Sequence, residues 1–504
     1  MKKDAFFRKL GPLAVTYDDV DFEQYDLTLE TGQSDVMPAE VSLRTRFSAH
    51  VTLNMPLVSA AQTTVTEHRL AIELALHGGI GIIHRDCSIE EQLREIGKVK
   101  HYLHGGPISN PKTVRPDETL EEVLNRITQQ GWGYQSFPAV DDDRRLVGLL
   151  TRDSFKFCLD LRRKVADEMK RDIVTVSPDI TDNEAFEIML AKRIGALPVV
   201  DEARHLVSLY IFKDLKRTRD GTSVSNVDAL GQLVVGAAIG VGDEEWERAQ
   251  ELARKLCNVL VLDTAHADSR RVYKMLERIK KGLAIDVVAG NVSVGASARR
   301  LAERGADGVK VGQGPGSICT TRLVAGIGIP QITAVWNCAR AVRRFNIPVC
   351  ADGGIRYPGD VTKAIVAGAD SVMMGGEFAG TDESPGEVFT LDGQQWKLNR
   401  GMGSLGAMRE SKGSRERYRQ GDDDELVPEG IEGRVSYKGS AHKVIVQFTG
   451  GLRAGMGYIG AHTIRELQKK GIFVLVTQSG RTESHPHDIT ITKDAPNYRV
   501  NKYL

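Results

Sequence analysis

The chain is expected to fold as an α/β protein, a (β/α)8 barrel interrupted by an inserted tandem repeat. Three observations lead there. From Leu233 onward, short continuous apolar runs alternate with helix-like stretches, the pattern of a parallel sheet covered by helices. Several of these runs end in glycine or polar residues. A barrel gathers its site from many strand ends, whereas a doubly wound sheet, whose period would also fit, uses one switch point. Finally, the segment 137–150, Phe-Pro-Ala-Val-Asp-Asp-Asp-Arg-Arg-Leu-Val-Gly-Leu-Leu, recurs at 197–210 as Leu-Pro-Val-Val-Asp-Glu-Ala-Arg-His-Leu-Val-Ser-Leu-Tyr.

In chain order, the N-terminal part (1–106) supplies the first strands, at 56–59 and 78–84. The repeat follows over 107–222, where 115–120 also matches 177–181. Each copy reads strand, helix, strand, turn, strand. One copy is too small to bury much of a core, so the two are expected to pair. The barrel resumes over 223–504. Strands are expected at 258–263, 284–290, 308–312, 347–352 and 371–374, with helices over 296–305 and 360–368.

Composition narrows the function. At 504 residues the chain accommodates two or three domains. Its formal net charge of zero offers nothing to nucleic acid or an anionic membrane. No apolar run approaches the roughly 20 residues of a membrane span, and the charged N-terminus does not read as a signal peptide. The cysteines (Cys87, Cys158, Cys257, Cys319, Cys338, Cys350) are scattered without metal-ligand spacing. That pattern fits a reduced, cytoplasmic protein whose thiols, apart from one, are small buried fillers.

The exception is Cys319. It stands at the lip of the loop in Val309-Lys-Val-Gly-Gln-Gly-Pro-Gly-Ser-Ile-Cys-Thr-Thr-Arg322. Glycines let a backbone approach a phosphate or an ion, and a thiol beside them can attack a bound substrate. Gly353-Gly354 and Gly375-Gly376 follow successive strands, and backbone amides at such turns cradle anions. The segment therefore reads as a phosphorylated ligand held next to a nucleophile. No Gly-x-Gly-x-x-Gly opens a dinucleotide-binding unit.

Gly-Pro-Gly-Ser-Ile-Cys-Thr-Thr-Arg closely resembles the catalytic loop of the inosine monophosphate dehydrogenase and guanosine monophosphate reductase family. The resemblance runs from Leu13-Ala-Val-Thr-Tyr-Asp-Asp-Val20 to the segment beginning at Glu483. The repeat resembles a tandem pair of CBS motifs (a Bateman module), which often binds adenine or guanine nucleotides. Most dehydrogenases of the family carry this insertion and the reductases usually lack it.

The resemblance implies an NAD-dependent oxidation of inosine monophosphate, a purine mononucleotide, to xanthosine monophosphate, with Cys319 adding to C2 of the base. It implies Ser317, Gly353, Gly354, Gly375 and Gly376 at the phosphate, and Asp352 at the ribose. Gly401, Met402 and Gly403 would line the base. Asp263, Asn291, Gly312 and Gly314 fall to the dinucleotide site. A mobile flap over about 405–435 would carry Arg417 and Tyr418 to activate water, with Thr321 and Glu429 as a second proton relay. Potassium would take carbonyls from Gly314, Gly316 and Cys319, joined by Glu483, Ser484 and His485 of a neighbouring copy in a homotetramer or octamer.

The chain also departs from the family pattern. Gln62 and Thr63 replace a methionine and an acid, Gly376 replaces a serine, Asn399 replaces a tyrosine, and Ala267-Asp268 replaces Gly-His. Glutamine can hydrogen-bond a substituent that methionine cannot. A paralogue acting on a modified purine nucleotide therefore stays open. So do a GMP reductase using NADPH, towards which Gly376 leans, and a nucleotide sensor. In the repeat, the ribose-binding signature is blurred at Asp153 and Asp214.

Overall fold

In the computed structural model, eight parallel strands close into a barrel. They are β1 (Leu57–Ser59), β2 (Ile80–Ile83), β3 (Val235–Ile239), β4 (Val259–Asp263), β5 (Asp286–Val292), β6 (Gly308–Val311), β7 (Val349–Asp352) and β8 (Ser371–Met374). They pair in sequence order, and β8 closes on β1 through Val372–Leu57 and Met374–Ser59. The structure describes residues 25–103, 106–130, 136–151, 154, 158, 160–220, 224–420, 425–493 and 495–498. The segment Leu13–Val20 and Asp153 lie outside them.

The chain divides into two compact units: residues 1–100, 224–228 and 233–504, and residues 101–223 with 229–232. In the first, Val58, Ile80, Ile82, Val259, Val261, Val288 and Met373 fill the barrel interior. Eight helices belong to this unit's αβ units and their return: α1 (His68–Leu76), α2 (Ile89–Lys100), α3 (Asp243–Arg254), α4 (Arg270–Gly282), α5 (Gly295–Glu303), α6 (Gln331–Val342), α7 (Pro358–Val366) and α8 (Ala441–Ile459). Local sequence explains them. Ser269 caps α4, whose Val272, Met275, Leu276 and Ile279 make one buried stripe. Pro358 opens α7, and Asp360 accepts from the amides of Arg356 and Tyr357 (2.9 and 2.8 Å).

In the second unit, each copy of the repeat is a helix followed by an antiparallel hairpin: Leu120–Gln130 with Ser136–Val140 and Leu146–Thr151, and Asp182–Lys192 with Ala196–Val200 and Leu206–Ile211. The leading strand expected in each copy is reduced to a single bridge, Val114 to Ala139 and Val176 to Val199. The copies meet through Val140, Leu146, Val200 and Leu206, which buries apolar surface that one copy alone would expose. Asp214 lies on the helix Phe212–Asp220.

Candidate active site at the mouth of the barrel

The side chains singled out in the sequence gather at the C-terminal ends of the strands. Asp263 closes β4, Asn291 lies near the end of β5, Asp352 closes β7, and Gly375-Gly376 follow β8. Gly312, just past β6, has φ +153°, and a Cβ there would stand 2.1 Å from the carbonyl oxygen of Asp352. Only glycine lets the catalytic loop leave the barrel so close to β7.

Cys319 is half-buried, and its Sγ lies 3.2 Å from Thr321 Oγ1. Its amide donates to Gly316 O (3.0 Å), closing the turn that presents the thiol. Arg322 ties the loop down by donating to Gln313 O (3.2 Å) and Ile329 O (2.8 Å). The segment bearing Glu429 runs alongside: Thr320 N donates to Glu429 O (3.0 Å), and Glu429 N to Gly403 O (3.0 Å). Gly401, Met402 and Gly403 are buried beside this ladder. Ser317 Oγ lies 3.2 Å from where a Cβ on Gly376 would stand. The Ser317 hydroxyl and the Gly375-Gly376 turn thus face one small volume.

Residues 405–420 of the expected flap pack against the barrel, and part of them forms a short helix, Lys412–Arg417, capped by Ser411 (Ser414 N to Ser411 Oγ 3.2 Å). A sequence of mostly polar residues without an apolar stripe hides such a helix, because its stabilisation comes from what it docks on. That surface is the turn after β2: Arg85 donates to Gly413 O (2.7 Å), and Ser411 and Ser414 bond Asp86. Arg417 consequently pairs with Asp263. Burial holds the Arg417 guanidinium below its ordinary value and pushes the Tyr418 phenol above its own. The Tyr418 ring occupies the place of a Gly403 side chain, since a Cβ there would lie 2.6 Å from Cζ.

One buried charge at the site escaped the sequence. Lys310, 2% exposed, projects from β6 into the barrel mouth. Its Nζ lies 2.5 Å from Asp352 Oδ2 and 3.0 Å from Asp263 Oδ1, and also bonds Asn291 Oδ1. Asn291 Nδ2 donates to Asp352 Oδ2 (2.9 Å) and Gly312 O (2.6 Å). One cation thereby joins the two carboxylates expected to hold two different riboses. The available signal was a charged residue inside an otherwise apolar strand.

The departures from the family pattern cluster in part. Gln62 Oε1 lies 3.1 Å, and Asn399 Nδ2 3.8 Å, from Cβ positions on Gly375 and Gly376. Gln62 Oε1, Thr63 Oγ1 and Asn399 Nδ2 are buried without a hydrogen-bond partner. Asp268 serves another end: it bonds Ser297 (2.5 Å) and Arg300 Nε (3.0 Å), and the Arg300 guanidinium holds its carboxyl below the usual range. Glu483 and Ser484 end the short helix Gln478–Ser484, and His485 follows it. His485 meets Tyr357 edge-on and bonds Tyr498 OH (3.1 Å).

The comparisons with known proteins agree with this geometry. The family model described as "IMP dehydrogenase / GMP reductase domain" matches residues 14–487. The chain belongs to the IMP dehydrogenase / GMP reductase family. An inosine-5'-monophosphate dehydrogenase of Aquifex aeolicus is 47% identical over 480 residues, covering 94% of this chain and 97% of the relative. One from Methanocaldococcus jannaschii is 43% identical over 509 residues, covering 99% and 100%. Among solved structures, a GMP reductase variant of Trypanosoma brucei in complex with guanosine 5'-monophosphate is 38% identical, with a TM-score of 0.85 over 96% of this chain and all of that one.

Proposed function

We propose that the protein oxidises inosine monophosphate to xanthosine monophosphate with NAD, through a covalent bond between Cys319 and C2 of the purine. The observation that carries this reading is the Cys319 thiol, 3.2 Å from the Thr321 hydroxyl, on a loop that also presents Ser317 to the Gly375-Gly376 turn. Asp352 accepts hydrogen bonds from the nucleotide's ribose hydroxyls. Backbone amides of Gly353, Gly354, Gly375 and Gly376 hold its phosphate, and Gly401 to Gly403 line the base. Asp263, once released by Arg417, takes the ribose of the second substrate. NAD supplies the hydride acceptor.

The Thr321 hydroxyl can donate to the thiolate and steady it. The thiolate adds to C2, and hydride leaves that carbon for the nicotinamide, giving a thioimidate on Cys319. Arg417 then returns to the barrel mouth and, in the role the family resemblance gives it, takes a proton from water. The hydroxide adds to C2 and the carbon–sulfur bond breaks, releasing xanthosine monophosphate and the thiolate. The sum is inosine monophosphate, NAD and water to xanthosine monophosphate, NADH and a proton. Tyr418 orients the arginine, and Thr321 with Glu429 forms the second relay.

Backbone carbonyls of Gly314, Gly316 and Cys319 would hold potassium, which takes such oxygen ligands. Glu483, Ser484 and His485 of a neighbouring copy in a tetramer would complete that site. The repeat unit would bind an adenine or guanine nucleotide as effector. No helix among the described residues is long and apolar enough to cross a membrane.

A second reading, reductive deamination of guanosine monophosphate with NADPH, draws on Gly376 and the likeness to the trypanosomal reductase. Incubation with inosine monophosphate and NAD, read as NADH absorbance, against guanosine monophosphate with NADPH, separates the two. Cys319→Ser is expected to cut turnover by roughly 10³-fold or more and to abolish a trapped adduct in mass spectrometry. Equal turnover of Cys319→Ser and parent overturns the mechanism.

A further inference from the structure

We propose that Glu73, His77 and His442 form a binding site for a divalent transition-metal ion of the zinc type, fastening α1, the first helix of the barrel, to α8. The three residues offer one carboxylate oxygen and two imidazole nitrogens within 4.8 Å of one another. Nothing in the proposed reaction uses them.

The tautomers favour a ligand. His77 Nδ1 lies 2.8 Å from the Glu73 carbonyl oxygen, and a carbonyl can only accept. Nδ1 of His77 therefore carries the proton when the ring is neutral, and its Nε2 presents a bare lone pair. That nitrogen faces His442 Nδ1 at 2.7 Å. A metal-binding histidine is oriented in the same way, one ring nitrogen donating to a backbone carbonyl and the other free to ligate. Two imidazoles this close need a shared proton or a cation between them. Separating the nitrogens by about 0.6 Å would admit a zinc ion at its usual bond lengths and tetrahedral angle.

The third ligand is near: Glu73 Oε1 lies 3.5 Å from His77 Nδ1. The frame is rigid on both sides. His77 caps the C-terminal end of α1. Ser440 caps α8 (His442 N to Ser440 Oγ 3.2 Å), and Glu383 accepts from Ala441 N (2.7 Å) and Ser440 Oγ (3.1 Å). His442 is exposed and His77 only partly covered, so the ion has a path in. Two other histidine–carboxylate groups, at His50 and His68, are tighter: each imidazole bonds a carboxylate at 2.7 and 2.6 Å, against 3.5 Å between His77 Nδ1 and Glu73 Oε1. Nitrogen-rich donors of this kind select zinc, nickel, copper or cobalt over magnesium or calcium.

The test uses the full chain carrying Cys319→Ser, which removes the half-buried thiol of the proposed nucleophile as a competing ligand. Zinc sulfate is titrated against a chromophoric chelator, and cobalt(II) is followed by its visible absorption. One equivalent per chain is expected, lost when His77→Asn and His442→Asn are added, with equal thermal midpoints for the two proteins in metal-free buffer. Zinc is also expected to raise the midpoint of the His77- and His442-containing protein alone. Retention of the equivalent after both substitutions, or no uptake by the parent beyond that of the double variant, overturns the site. These outcomes do not depend on turnover of any nucleotide, so they stand apart from the proposed reaction.

Discussion

Replacing Lys310 with methionine removes the one cation shared by Asp263 and Asp352 while keeping a side chain of similar length. Breaking a buried ion pair from one side costs about 3–5 kcal/mol, because the remaining charge is left uncompensated. Here the lower end applies. Asp263 keeps its bond to Arg417, and the Asp352 side chain is 18% exposed and can turn to water. A barrel unit of about 380 residues unfolds with an entropy near 0.8 kcal/mol/K, so a loss of about 3 kcal/mol lowers the thermal midpoint by about 4 °C. Kinetics carry the sharper signature. In the proposed reaction each carboxylate positions a different ribose, and a hydrogen bond to a charged group is worth about 1.5–3 kcal/mol, or roughly 10- to 150-fold in binding. Lys310→Met should therefore raise KM for both the nucleotide and the dinucleotide, and Asp352→Asn in the same chain should cost less than it does alone. Calorimetry and steady-state kinetics with each substrate varied in turn measure these effects. An unchanged midpoint with both KM values intact would refute the idea that this lysine couples the two subsites.

Arg417→Ala should leave hydride transfer intact and slow the hydrolysis that follows by about 10²- to 10⁴-fold; rapid mixing should show one equivalent of NADH per site, then near arrest, and absence of that burst counts against the assigned role. The bond to Asp286 raises the pKa of His50 above 6.5. Its stabilisation is full below that value and lost as pH rises through the raised one. The stability gap between parent and His50→Asn, read from their thermal midpoints and at most about 0.5 kcal/mol because the ring is mostly solvated, should shrink as pH rises above 6.5. A gap that widens with pH contradicts this sign. Burial pushes the thiols of Cys257 to about 11 and of Cys338 and Cys350 to about 12, so iodoacetamide near pH 8 should spare them. Cys319 should react, and inosine monophosphate should protect it; labelling of Cys338 at the rate of Cys319 would overturn this ordering.

Legibility in the sequence followed the range of the forces involved. Barrel strands such as β4 and β8 are continuous apolar runs closed by an acid or a glycine pair, and that pattern is local. The boundaries drifted by a residue or two: the strand expected at 284–290 runs Asp286–Val292, and the helix expected at 360–368 runs Pro358–Val366. The leading strand of each repeat copy was overread, since a few extended residues with one partner bridge satisfy the same alternation. The glycine-rich loop that bears Cys319 stood out because its glycines and thiol are contiguous.

Chain order alone thus settles the alternation of strands and helices, the doubled insert and the loop that bears Cys319, since each is written in neighbouring residues. Which charges meet is settled only by closure of the sheet. Lys310, Asp263, Asn291 and Asp352 lie on four different strands, and His77, which caps α1, is far along the chain from His442 on α8. Such pairings cost or return free energy only when folding removes water from between them, and no local pattern records that distance.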